Sequence, residues 1–187
     1  MIRFLREVAP FVRGIDKVRN FAALATGDKR KHYERRLLKF PAEDVYQVVA
    51  DTAKYKQFVP WCKESKVVSR LEDAGEASLV DLGRKVKFRS ELLVGFGMFN
   101  EKYVSDVVLD PNTSISATSQ DTKLLESLHT HWEFKPAKNP QHCWINFKVE
   151  FQFKSKLYNE FAGIFMDEVA SKMVGAFEGR MEALTKR

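Results

Sequence analysis

The sequence predicts an α+β domain in which a curved antiparallel sheet wraps around a long C-terminal helix, the helix-grip arrangement. Three observations carry that expectation. Segment after segment alternates apolar and polar residues, two short helical segments follow the first strand, and one apolar stripe at helical spacing closes the chain. The alternation is sharpest at Ile145, Phe147, Val149, Phe151 and Phe153, set against Asn146, Lys148, Glu150, Gln152 and Lys154. Strict period-2 patterning of this kind makes a sheet with one apolar and one wet face.

His32 to Phe40 is expected as the first strand. Pro41, followed by Glu43 and Asp44, opens a helix, because proline is tolerated at a helix start and acids favour its positive end. Val45, Val48 and Val49 supply its buried side, and Asp51 and Thr52 are expected to cap a second short helix running to Phe58. Pro60 lacks an amide N–H and disfavours helical backbone at Val59, so the chain must turn there. Strands follow at Ser65 to Leu71 and Glu76 to Leu82, joined by an Asp73-Ala74-Gly75 turn. Arg84 to Gly95 alternates, with Val86, Phe88, Ser90, Leu92 and Val94 on one face. Tyr103 to Leu109 leads to a turn at Asp110-Pro111-Asn112, and Ile115 to Ser119 is a weaker strand. Leu128, Thr130, Trp132 and Phe134 then alternate with His129, His131, Glu133 and Lys135. From Leu157 to about Leu184 one stripe (Leu157, Phe161, Ile164/Phe165, Val169, Met173, Ala176/Phe177, Met181, Leu184) marks a helix. At about 1.5 Å per residue it spans roughly 40 Å, enough to cross the concave face.

With 187 residues, 44% of them apolar, the chain suits one domain with a sizeable core. No apolar run is long enough to span a membrane, so any bilayer contact is expected to be peripheral. The net charge of +6 is concentrated at one end. Residues 1–36 hold ten of the 31 Lys/Arg and four of the 25 acids, so the remaining 151 residues balance at 21 of each. A neutral body offers no basic face for phosphates, and no nucleic-acid partner is expected. Residues 1–27 are basic and amphipathic and read as a mitochondrial transit peptide or an amphipathic arm, with residues 28–187 as the folded domain. Arg19-Asn20-Phe21-Ala22 resembles a processing site. Glu7, Asp16, Pro10, Gly14 and the absence of serine depart from the transit pattern. Cys62 and Cys143, far apart and without metal-ligand spacing, read as two buried free thiols. His129, His131 and Glu133 share one face of a strand, but they alternate with the buried set and should face solvent, so no metal site is expected.

The expected concave face is almost purely apolar. Val86, Phe88, Leu92, Trp132, Phe134, Phe147, Phe151 and Phe153 line one side, and Phe161, Phe165, Val169 and Phe177 face them from the helix. Ser90 and Thr130 are its only obvious polar members, and small residues (Ala162, Gly163, Ala170, Gly175, Ala176) could leave a long slot beside the helix. General acid–base catalysis needs a titratable group within reach of substrate. None is expected here, and no catalytic residue is assigned. The most unusual stretch is Phe58-Val59-Pro60-Trp61-Cys62, a turn tipped with large apolar side chains. It either plugs its own core or touches something apolar outside. Gly95-Phe96-Gly97-Met98-Phe99 is a second apolar turn; it is no dinucleotide fingerprint, since Asn100 replaces the third glycine and no helix follows.

Several motifs carry a family resemblance: Tyr55-x-x-Phe58-Val59-Pro60-Trp61-Cys62, Gly95-Phe96-Gly97-x-Phe99-x-Glu101-x-Tyr103, Leu128-x-x-x-Trp132-x-Phe134, Phe147-x-x-x-Phe151-x-Phe153 and Ala176-Phe177-Glu178-Gly179-Arg180. They resemble the START-like superfamily of polyketide cyclases, dehydrases and lipid transporters, and within it the mitochondrial coenzyme Q-binding proteins, over about residues 32 to 182. The resemblance implies a non-enzymatic carrier or chaperone that binds ubiquinone or a prenylated precursor and supports respiration and ubiquinone synthesis. It would use no catalytic cofactor and would work at the matrix face of the inner mitochondrial membrane, beside ubiquinone-synthesis proteins. The ligand is then expected on Val86, Phe88, Leu92, Thr130, Trp132, Phe134, Phe147, Phe151, Phe161, Phe165, Val169 and Phe177. Membrane contact falls to Phe58, Val59, Pro60, Trp61, Phe96 and Met98. A cyclase/aromatase-like enzyme and a ribosome-directed interaction module are the alternatives on the same fold.

Overall fold

The structure, a computed structural model, describes residues 28–70, 84–96, 99–120, 122–154 and 156–186, with side chains except those of Arg70, Phe96, Phe99 and residues 156–168. The expected arm at 1–27, the expected strand from Glu76 to Leu82 and its preceding turn lie outside these residues. β1 (Arg30–Leu38) leads into α1 (Ala42–Ala50), a short 3-10 helix (Thr52–Gln57) and β2 (Cys62–Arg70). β3 (Val86–Phe96), β4 (Phe99–Asp110), β5 (Ser114–Gln120), β6 (Leu125–Pro136) and β7 (Cys143–Phe153) follow, and α2 (Lys156–Thr185) ends the chain. The seven strands form one sheet in the order β1-β7-β6-β5-β4-β3-β2, every pair antiparallel. β1 and β2 therefore occupy opposite edges, and α1 with the 3-10 helix makes the crossing between them.

Local chemistry explains the start of this crossing. Pro41 is the N-cap of α1, its carbonyl accepting the Val45 N–H at 3.2 Å, and Glu43 and Asp44 occupy the first turn. The second segment departs from expectation. It is a six-residue 3-10 helix with Asp51 in the N-cap position, but the Asp51 side chain makes no capping hydrogen bond. The Asp51 carboxylate is taken instead by Lys54, three residues on, at 2.6 Å. Asn112, at the β4–β5 turn, adopts φ 54°, a left-handed conformation that asparagine tolerates.

One face of the sheet is covered by α1 and α2. Leu38, Val45, Tyr46, Val49, Phe88, Leu109, Ile145, Phe147, Val174 and Phe177 form its centre, each almost fully buried. The stripe on α2 is rotated from the expected one. Ala170, Val174, Phe177 and Met181 are buried, Val169 and Met173 are only half-buried, and Leu184 is 43% exposed. A Cβ on Gly175 would lie 3.9 Å from Arg36 Nη1 of β1, and one on Gly179 would meet nothing within 4 Å. Polar clamps fix the helix at two places. Arg36 on β1 reaches Glu178 at 3.2 Å and donates to Ser171 Oγ at 3.4 Å; Arg180 donates to Gln57 Oε1 at 3.0 Å and lies 5.5 Å over the Phe58 ring.

Candidate functional site

The covered face of the sheet has two unlike ends. At one end Leu38, the start of β3, the β4–β5 turn and the start of β7 come together; here the inward side chains Val86, Phe88, Val107, Leu109, Ile115, Trp132, Phe134, Ile145 and Phe147 are buried. Toward the other end, along the same strands, Leu92, Val94, Tyr103, Ala117, Leu128, Thr130 and Phe153 are only half-buried. Antiparallel pairing decides which loops share that second end. Cys62 pairs with Val94, Phe96 with Phe99 and Leu125 with Phe153, so the Phe58–Cys62 turn, the β3–β4 hairpin and the β5–β6 connection gather there with the start of α2. The two apolar turns singled out in the sequence are thus neighbours, and the Gly95 N–H donates to the Trp61 carbonyl at 2.9 Å. A Cβ on Gly95 would lie 2.3 Å from Lys63 Cε and 2.7 Å from Asn100 Oδ1, so glycine permits this close approach.

The sealed end is a filled core. Trp132 packs at a tilt on Phe147 with ring centres 4.3 Å apart and meets Phe177 at 5.1 Å and Phe134 at 6.5 Å; Tyr46 closes edge-on over Phe134 at 5.5 Å. Burial pushes the Tyr46 phenol up to about 12, with the Asp110 charge adding to the effect. Four of the twelve expected ligand residues, Trp132, Phe134, Phe147 and Phe177, therefore close on one another. Val86, Phe88 and Phe151 are buried as well; Leu92, Thr130 and Val169 are half-buried toward the open end. The side chains of Phe161 and Phe165 lie outside the described set.

The expectation of a face with only Ser90 and Thr130 as polar members is corrected by β4. This strand begins at Phe99 rather than Tyr103, and its alternation carries Glu101, Tyr103 and Ser105 inward together with Val107 and Leu109. Glu101 is 6% exposed. Its Oε1 accepts the Leu124 N–H at 3.0 Å, while Oε2 is buried with no hydrogen-bond partner. An acceptor left so typically costs about 1–3 kcal/mol, a penalty that native structures keep at sites of function. Ser105 stands opposite Ser90 in the register, and Ser90 donates to the Lys66 carbonyl at 3.4 Å. Tyr103 is held far above the usual phenol range by burial first and then by the nearby Cys62 and Glu101 charges. Tyr55 is raised likewise by burial, then by Asp51, Tyr103 and Cys62, and its hydroxyl donates to the Val49 carbonyl. Both phenols are therefore neutral O–H groups at any physiological pH, beside a carboxylate.

In the Phe58–Cys62 turn the apolar side chains divide. Phe58 points inward, meeting Phe177 edge-on at 5.1 Å and Tyr55 at 5.9 Å, and Val59 also packs on the core. Its expected role as a bare membrane contact is thus shared with a packing role that the sequence did not distinguish. Trp61 adopts φ 62°, unusual for a bulky residue, and its half-buried ring has Lys172 Nζ 5.8 Å from its centre. Phe96 is described by its backbone alone, and Met98 lies outside the described residues.

Both cysteines are free and buried, and burial raises Cys62 and brings Cys143 to about 11. His129 and His131 lie on the opposite, outer face, where Thr118 and Ser116 meet their Nδ1 atoms at 2.9 and 2.8 Å. Among the described residues no group of three ligating side chains could hold a metal, and no helix is long and apolar enough to cross a membrane.

A sheet gripping a terminal helix, with one sealed and one polar-lined end, defines a helix-grip protein. A Streptomyces aromatase/cyclase of known structure superposes with TM-score 0.67 at 14% identity, over 83% of this chain and 94% of that one. The profile of the polyketide cyclase/dehydrase and lipid transport family matches residues 38–178. The mitochondrial coenzyme Q-binding protein homolog B of Xenopus laevis is 41% identical over 162 residues, 85% of this chain and 61% of that protein. Its counterpart in Eremothecium gossypii is 31% identical over 90% of this chain and 81% of its own length. A ribosome association toxin of Pseudomonas aeruginosa is 29% identical over 79% of this chain and 92% of the toxin. The chain spans about three fifths of the length of its Xenopus relative. It belongs to the polyketide cyclase/dehydrase and lipid transport family, in the branch of the coenzyme Q-binding proteins.

Proposed function

We propose that this chain binds coenzyme Q, or a prenylated precursor, at the open end of its covered sheet face, and carries it without transforming it. The observation that carries this reading is the gradient along the sheet. Inward apolar residues are sealed at one end, and toward the other, where two apolar turns meet, Leu92, Val94, Leu128 and Phe153 are half-buried although Val149 and Phe151 stay buried. Leu92, Thr130, Phe151 and Val169, with Phe161 and Phe165, are the proposed walls of an apolar slot; Val86, Phe88, Trp132, Phe134, Phe147 and Phe177 are its closed floor. Such a slot answers a physical need. Each CH₂ brought into water costs about 0.8 kcal/mol, so a polyprenyl chain does not leave a bilayer unaccompanied. Passing from lipid into a protein slot exchanges one apolar medium for another.

The mouth must then meet the membrane. Pro60 and Trp61, with Phe96 and Met98 of the neighbouring hairpin, are the proposed contact, backed from inside by Phe58 and Val59. Tryptophan suits the lipid–water boundary. The proposed setting is peripheral, on the matrix face of the inner mitochondrial membrane, in support of respiration and ubiquinone synthesis. Purification without detergent exchange, followed by organic extraction and mass spectrometry, tests this. A prenylquinone at near-stoichiometric amount is expected, and repeated absence of any lipid contradicts it.

A second reading has its own observation. Glu101, Tyr103 and Cys62 are titratable groups close together on a covered face, as a cyclase would require. Trp61→Lys separates the two. It costs membrane association under the carrier reading, and it leaves turnover unchanged under the enzymatic one.

A further inference from the structure

Glu101 is a poor choice for a slot that holds only a quinone. Its Oε1 is already engaged by the Leu124 N–H at 3.0 Å, and its Oε2 is buried with no partner. An ionised carboxylate oxygen can only accept hydrogen bonds, and the oxygens of a quinone head, carbonyl and methoxy alike, can also only accept. The two would be forced together without a proton between them. The hydroquinone form differs at just this point, because each of its two ring hydroxyls is a donor. A hydroxyl bonded to a carboxylate is among the stronger hydrogen bonds available in a low-dielectric site.

The surroundings fit a head group with mixed donor and acceptor character. Tyr103 lies two residues along β4 on the same face as Glu101, and Tyr55 and Cys62 are its close electrostatic neighbours. The Tyr103 hydroxyl can donate to a ring oxygen of either redox form, so it contributes binding without discrimination. Glu101 alone can tell the two forms apart. Its position also fits. It stands two residues from the start of β4, next to the β5–β6 connection and at the end of the sheet where the two apolar turns meet.

We propose that the Glu101 carboxylate accepts a hydrogen bond from a ring hydroxyl of a hydroquinone head, so that the protein selects the reduced form of its prenylated ligand. This rests on the carrier reading above and adds to it a choice of redox state. No electron moves in the step: the hydroquinone enters and leaves with both hydrogens.

The test is equilibrium binding to the whole chain of two short-tailed probes, decylubiquinol and decylubiquinone, the first kept reduced under anaerobic conditions. A hydrogen bond in a buried site that only the hydroquinone can donate predicts about tenfold or greater preference for decylubiquinol. Glu101→Gln, whose amide can donate as well as accept, is expected to reduce that preference to about twofold or less, with decylubiquinone bound at least as tightly as by the wild type. Equal binding of the two forms by the wild-type protein, or tighter binding of decylubiquinone, overturns the proposal while leaving the carrier reading standing. Binding of neither form overturns both. The wild-type comparison requires no variant to fold.

Discussion

The two ends of the covered sheet face are built from the same strands and differ in what they leave open. At the sealed end, Trp132, Phe134, Phe147, Phe177 and Tyr46 meet ring to ring. At the open end the strands continue with Leu92, Tyr103, Leu128 and Phe153, half-buried, and a buried carboxylate lacks a partner for one oxygen. Ring packing dominates the first end. The second carries features that packing would not select, and that contrast is where function is to be sought.

The largest expected effect lies at the sealed end. Phe177→Ala removes the ring that joins Tyr55, Phe58 and Trp132, and should destabilise the fold by about 3–5 kcal/mol in denaturant unfolding. A loss below about 1 kcal/mol would mean that the rings border a space rather than fill one. At the open end the pattern should reverse. Trp61→Lys is expected to weaken co-sedimentation with vesicles of mitochondrial lipid composition about tenfold while the midpoint of thermal unfolding stays close to that of the wild type. A large thermal shift with unchanged sedimentation would assign Trp61 to packing.

Glu101→Gln should change stability by less than about 1 kcal/mol, because the amide oxygen can still accept the Leu124 N–H. A loss of several kcal/mol in the same unfolding assay would make Glu101 a structural residue. The smallest effect is expected on the outer face. Glu150 is held near 2 by hydrogen bonding to Lys31 and Lys148, with Lys29 adding its charge; the three ammonium groups lie 3.1, 3.2 and 3.4 Å away. A depressed carboxylate contributes stability that is complete above its ordinary value near 4.5 and lost as the pH falls toward 2. Glu150→Gln should therefore differ from the wild type equally at pH 7 and pH 5, and the difference should fade between about pH 4.5 and 2. A difference that persists at pH 2 would contradict the assignment.

Much of this arrangement was legible in the residues. The alternation from Ile145 to Phe153 and from Leu128 to Phe134, the proline that opens α1 and the closing helix all read correctly, because period and capping act locally. The inward set Glu101, Tyr103 and Ser105 did not. β4 places valine on both faces, at Val104 and Val107, which weakens its alternation, and Glu101 fell outside a strand taken to start at Tyr103. Counting back by twos from Leu109 and Val107, with Asp110 and Asp106 flanking them on the other face, turns these three inward. The inward aim of Phe58 depends on its contact with Phe177 of α2, more than a hundred residues away, which no local pattern encodes.

The claim at the centre of this account is that a prenylated ligand occupies the open end and stops at the aromatic floor. Photocrosslinking tests it most directly, using a short-tailed ubiquinone analogue that bears a photoreactive tail and mapping the adducts by mass spectrometry. Adducts are expected on peptides containing Tyr55–Cys62 and Phe99–Ser105, and competition by unlabelled decylubiquinol should remove them. Competable adducts confined to the outer face, or none on either peptide, would contradict it.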